Sequence, residues 1–97
     1  MTDSERELYL EKAQGKIDQW NAEIDKMKAK VEQADADARI GYQRSLEEMR
    51  ARRDEAEVQL RALQESSDEA WFDMKAGFDN AWSELSEAFK KALSRFK

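Results

Sequence analysis

From Leu10 to Leu63 the apolar and small residues recur three or four positions apart. The series runs Leu10, Ala13, Ile17, Trp20, Ile24, Met27, Val31, Ala34, Ala38, Tyr42, Leu46, Met49, Arg53, Ala56, Leu60 and Leu63, with Arg53 its one charged member. This spacing draws a single stripe along a helix. The 97 residues include no proline and only three glycines, so nothing covalent forces the stripe to break. The implied fold class is all-α, a helical bundle or coiled coil with a heptad seam. The steps from Ala34 to Ala38, Tyr42 and Leu46 are all four, which reads as a run of stutters.

Polar residues set the helix ends. Thr2 with Glu5, and Ser4 with Glu7, have the spacing of a capping box, in which side chains satisfy free N–H groups of the first turn. From there one long helix is predicted over about 4–65. Ser66-Ser67-Asp68-Glu69 is the strong punctuation, and Ser66 with Glu69 repeats the capping spacing. A second helix is predicted over about 68–95. Asp68, Glu69 and Asp73 stand at its positive end, and Lys90, Lys91, Arg95 and Lys97 at its negative end, as the helix dipole favours.

The C-terminal helix holds six of the nine aromatic residues. Its seam is Trp71, Met74, Phe78, Ala81, Leu85, Ala88 and Ala92, widened by Trp82, Phe89 and Phe96. That face is too broad for a two-stranded coiled coil and suits a helix touching two neighbours. Folding back at Ser66–Ser67 sets Leu63 beside Trp71, Leu60 beside Met74, Ala56 beside Phe78, Met49 beside Leu85 and Leu46 beside Ala88. Within the first 65 residues, Leu10 matches Leu63, Ala13 Leu60, Ile17 Ala56, Ile24 Met49 and Val31 Tyr42, about an axis at Ala36–Asp37.

Two topologies meet this second register. In one, a straight helix of about 60 residues, some 90 Å long, packs its first half on a partner chain in a swapped antiparallel dimer. In the other, the chain turns near 35–41 into a monomeric three-helix bundle. The stretch ADADARIG carries alanines, an Asp35–Arg39 pair at i,i+4 spacing and no turn signal before Gly41. The straight helix and homodimer are therefore the preferred reading. A straight monomer would expose the stripe from Leu10 to Val31, an association surface.

Composition removes whole classes of function. Without cysteine there is no disulfide frame, zinc thiolate site or thiol nucleophile, and without histidine the commonest general base and metal ligand are missing. Net charge is −5, from 22 acidic and 17 basic residues, which disfavours nucleic acid as a partner. Nine periodic aromatics argue against disorder. No apolar run approaches the roughly 18 residues of a membrane span, and the N-terminus MTDSERELYLEK is unlike a secretory signal. One cytoplasmic helical domain over 1–97 is expected, without catalytic residues, cofactor or metal.

The stretches IDQWNAEIDKMKAK, ADADARIGYQRSLEEMR and DEAWFDMKAGFDNAWSELSEAFKKALSRFK resemble small bacterial coiled-coil proteins of about this length, labelled stress-response proteins after a cyanobacterial member. The most specific part is Trp71, Lys75-Ala76-Gly77, Ala81-Trp82 and Ser94-Arg95-Phe96-Lys97. The resemblance implies a helical, cytoplasmic, stress-associated protein and no catalytic residue.

Few residues stand out as sites. Glu47-Glu48, Asp54-Glu55 and Asp68-Glu69 are adjacent carboxylates, but neighbours on a helix point apart, so they read as solvated faces. Arg44, Arg50, Arg52, Arg53 and Arg61 form a basic stretch interleaved with acids, with Glu48–Arg52 and Glu57–Arg61 spaced as ion pairs. Arg53, on the seam, is expected to stack on an aromatic such as Trp20. Gly77 reads either as a close helix approach or as a tolerated glycine. The core or oligomer seam is Leu10, Ile17, Trp20, Ile24, Met27, Val31, Tyr42, Leu46, Met49, Leu60 and Leu63. The aromatic C-terminal face is Trp71, Phe78, Trp82, Leu85, Phe89 and Phe96, expected to pack in the bundle. The alternative use of that face is docking to a protein partner or, over 68–97, to a membrane surface. The preferred function is that of a self-associating protein acting through its surfaces.

Overall fold

The computed structural model describes residues 3–96, with the side chain of Asp3 outside the description. It consists of α1 (Asp3–Gln33), α2 (Ala36–Gln64) and α3 (Trp71–Ser94). The all-α expectation holds. For the first 65 residues the chain takes the folded-back topology, not the straight helix. It turns at Ala34–Asp35, at the leading edge of the window near 35–41.

The turn is made by groups that looked helical. Asp35 sits in extended backbone (φ −68°, ψ 170°) as the N-cap of α2, and its carboxylate accepts from Ala38 N–H at 2.9 Å. It therefore caps a helix instead of pairing with Arg39, whose guanidinium donates to the Ala34 carbonyl at 3.0 Å. Within a single chain, burial decides against continuity. Turning back covers Ile17, Trp20, Ile24, Met27 and Val31 within one chain. At about 1.5–3 kcal/mol per side chain this far exceeds the few helical hydrogen bonds given up at two residues.

The second connection also differs in detail from the predicted one. α2 ends with Glu65 N–H bonded to the Arg61 carbonyl at 3.0 Å. Residues 68–70 form a turn, so α3 starts at Trp71 and not at 68, and it ends at Ser94. Ser67, not Ser66, supplies an oxygen to this turn, accepting from Ala70 N–H at 3.2 Å, while Ala70 itself, the N-cap of α3, has no side-chain capping bond. Ser66 Oγ instead donates to the Leu63 carbonyl at 2.7 Å. At the N-terminus, Thr2 of the first predicted capping box lies outside the described residues, and Ser4 lies inside the first turn of α1.

The bundle measures 52 × 19 × 18 Å. α1 and α3 each run antiparallel to α2 and so parallel to each other. The predicted register of α1 against α2 is visible in polar contacts. Asn21 accepts from Arg53 across α1 and α2, and Arg6 donates to the Ser66 carbonyl at 2.7 Å and the Gln64 carbonyl at 3.3 Å. Arg6 thereby satisfies carbonyls at and just beyond the C-terminal end of α2 and ties the start of α1 to the second connection. The core runs the whole length, from Trp71 and Leu63 at one end to Phe96 and Val31 at the other.

Candidate functional site

α2 approaches both neighbours closely, whereas the backbones of α1 and α3 stand further apart. Aromatic rings span that wider gap. Trp20 lies 4.3 Å from Trp82 and 4.3 Å from Phe89, nearly parallel to both (17° and 4°). Trp82 and Phe89 are two turns apart on α3, about 10.5 Å of rise, so Trp20 is sandwiched between them. Tyr9 meets Trp71 and Phe78 edge-on at 5.8 and 6.2 Å. Spacing along the two helices produces this. Tyr9 and Trp20 are three turns apart on α1, and Trp71, Phe78, Trp82 and Phe89 share one face of α3.

Cations cover the rings from outside. The Arg6 guanidinium carbon lies 4.5 Å from the Trp71 ring, Lys75 Nζ 4.8 Å from Tyr9 and Lys16 Nζ 5.6 Å from Trp82. The Tyr9 hydroxyl donates to Asp79. Partial burial, then the Asp79 carboxylate as hydrogen-bond partner and as charge, push the Tyr9 phenol well above the usual tyrosine range. A groove of about 100 Å³ remains between Tyr9, Lys12, Ala13, Lys16, Phe78, Asp79 and Trp82. That is smaller than the roughly 300 Å³ at which small-molecule sites begin.

The structure gathers the predicted seam into this core. Ile17, Trp20, Ile24, Met27, Val31, Leu46, Met49, Leu60 and Leu63 are buried, while Leu10 and Tyr42 are half-buried. On α3, Trp71, Phe78, Leu85, Phe89 and Phe96 are buried and Trp82 is half-buried. Tyr42 stacks on Phe96 at 4.9 Å and closes the far end. Met74, predicted on the seam, is 37% exposed instead, because the aromatic side chains rotate the buried face of α3 toward α1.

Other expectations are corrected. Arg53 does not stack on Trp20, whose two faces are taken by rings of α3. It bonds Asn21 and Asp54 instead. Among the described residues, neither the predicted Glu48–Arg52 pair nor Glu57–Arg61 is an ion pair. Arg52 pairs with Glu55 at 3.3 Å, and Glu48 reaches Arg95 on α3 at 2.9 Å. A Cβ on Gly77 would meet nothing within 4 Å, so it is a tolerated helical glycine and no close approach. Arg6 and Tyr9 escaped the sequence reading, which ran the seam through Leu10. The eleven-residue spacing of Tyr9 and Trp20, three full turns, was the available signal.

The paired carboxylates at 47–48, 54–55 and 68–69 are not drawn into a cluster. Among the described residues no three acidic side chains are placed to hold a metal ion. The hollow of about 550 Å³ beside Trp82, Ser83 and Ser86 is lined by α3 alone and lies open on the surface. Among the described residues no helix is long and apolar enough to cross a membrane. No protein-family model, curated protein or solved structure matches the chain.

Proposed function

We propose that this chain is a non-enzymatic, self-associating helical-bundle protein that acts through its surfaces, and that it dimerises by exchanging α1 between two chains. The hinge carries this reading. Only Ala34 and Asp35 separate α1 from α2, and no described residue adopts a positive φ. Every hinge residue can therefore enter a continuous helix. Opening would keep each core contact and re-form it with a partner, as in domain swapping. The resemblance noted above adds a cytoplasmic, stress-associated setting.

The experiment is light scattering coupled to size exclusion at micromolar concentration, with thermal melts over a concentration series. A dimer mass and a melt that rises with concentration are expected, because association is then linked to folding. A monomer mass with a concentration-independent melt overturns the proposal. Ala36→Pro sharpens the test. Ala36 is the first residue of α2, where proline is tolerated, and Asp35 already has the extended backbone that a residue before proline prefers. The same proline inside a straight helix costs about 3 kcal/mol. The variant should be a well-folded monomer.

A further inference from the structure

Charge is strongly segregated along the bundle. The end built from the last turns of α1, the first turns of α2 and the last turns of α3 comprises residues 26–44 and 88–96. It carries eight lysines or arginines against three acids. Residues 3–25 and 45–87 carry eight basic residues against nineteen acids. Tyr42 stacked on Phe96, and Arg95 paired with Glu48, show that α2 and α3 meet at this end, and Val31 of α1 is buried in the same core.

A share of those cations complements the C-terminal dipoles of α1 and α3, but that role leaves most of them unengaged. Lys26, Lys28, Lys30, Arg44, Lys90 and Lys91 are all exposed, and among the described residues no ion pair involves them. Among them stands Ile40, 64% exposed in the first turns of α2.

We infer that this end of the bundle is a docking surface for an anionic lipid bilayer, met end-on. Basic residues near an anionic membrane each add favourable binding energy, and an apolar side chain beside them can enter the interface. The end is about 19 × 18 Å across, a blunt face suited to a plane. Nucleic acid fits less well. Single-strand binders pair a basic groove with exposed aromatic rings, and here Phe96 is buried and stacked on Tyr42. The surface is also distinct from the aromatic face of α3, which is committed to the core.

The acids that would oppose such binding lie along the rest of a 52 Å rod. Screening decides between the two ends. At about 0.1 M salt the Debye length is about 10 Å, so the bilayer feels the basic end alone. At about 0.01 M it reaches about 30 Å, and the acidic body is felt as well. Binding should therefore pass through a maximum at intermediate salt, whereas a uniformly basic protein binds best at the lowest salt.

The test is flotation of the full chain with phosphatidylglycerol-containing vesicles and with pure phosphatidylcholine vesicles, at about 0.01, 0.1 and 0.5 M salt. Binding is expected only to the anionic vesicles, strongest at the middle concentration. Lys28→Glu with Lys30→Glu, or Lys90→Glu with Lys91→Glu, should weaken it at least about tenfold, and Ile40→Ser should weaken it less. Lys12→Glu with Arg61→Glu changes net charge equally at the other end and should leave binding at about 0.1 M within about twofold. Circular dichroism melts confirm that each variant is folded. The inference is overturned by absence of vesicle binding at every salt concentration. Equal loss in the Lys12/Arg61 control overturns it too, as does tighter binding to a DNA oligonucleotide than to the vesicles at matched phosphate. None of these readings depends on the oligomeric state.

Discussion

α2 against α3 and α1 against α3 are two solutions to the same packing problem. On α2 and α3, Ser45, Ala56 and Ala92 are buried to 1% exposure or less, and small side chains let these helices come close. Between α1 and α3 the backbones stand apart, and Trp20, Trp82, Phe89, Tyr9, Trp71 and Phe78 fill the space. A close interface is intolerant of added volume. A wide one depends on a few large side chains and is sensitive to their loss.

The largest effect is therefore expected at the wide seam. Trp20→Ala removes the ring held between Trp82 and Phe89 and should cost about 3–5 kcal/mol, measured by urea denaturation. A loss under about 1 kcal/mol would mean that the rings make no energetic contact across the gap. Next in size is overpacking at the close interface. Ala56→Leu should cost about 1–3 kcal/mol, with the same readout. If it were neutral, the two interfaces would not differ as described.

The hinge gives a third contrast. Ala36→Pro should change chemical stability by less than about 1 kcal/mol. Ala38→Pro deletes the N–H that Asp35 accepts and should cost the cap, about 1 kcal/mol, or more through strain. Equal effects at the two positions would argue that Asp35 caps nothing.

Two smaller effects complete the comparison. The Tyr9 phenol is protonated to higher pH in the folded chain than in the unfolded one, so the unfolded state loses its proton first. The stability it contributes is full below about pH 10 and declines above it. Melts from pH 8 to 11 should show a steeper alkaline loss for the native chain than for Tyr9→Phe. On the close side, Ser45 Oγ is buried with no hydrogen-bond partner among the described residues. Ser45→Ala should be neutral or slightly stabilising, since it removes an unsatisfied group without opening a cavity. A clear loss of stability would show that the hydroxyl is bonded after all.

Much of the architecture was legible in residue order. Three-four spacing marked the buried stripe from Ile17 to Leu63, and the antiparallel register of α1 on α2 reappears in Arg53 with Asn21 and in Arg6 with Ser66. The second connection was legible because serines and acids cluster there. The serine that supplies an oxygen to the turn was misassigned by one position, since Ser66 and Ser67 are chemically equivalent and only backbone geometry separates them. The hinge was not legible. Ala34, Asp35 and Ala36 suit a helix interior or a helix boundary about equally, and Asp35 has a local partner in either state.

Local physics, which acts over one or two turns, is written in order along the chain. Periodicity and the absence of proline therefore determined the helical class and most of the buried faces. Tertiary structure decided what depends on residues far apart. Burial of a whole stripe outweighed two residues of helix propensity and bent the chain at Asp35. The parallel placement of α1 and α3, forced by two antiparallel pairings with α2, then brought Tyr9 and Trp20 onto the rings of α3. The same placement gathered lysines from opposite ends of the sequence onto one face. Electrostatics and aromatic packing act through space, and only the folded chain brings those groups within reach.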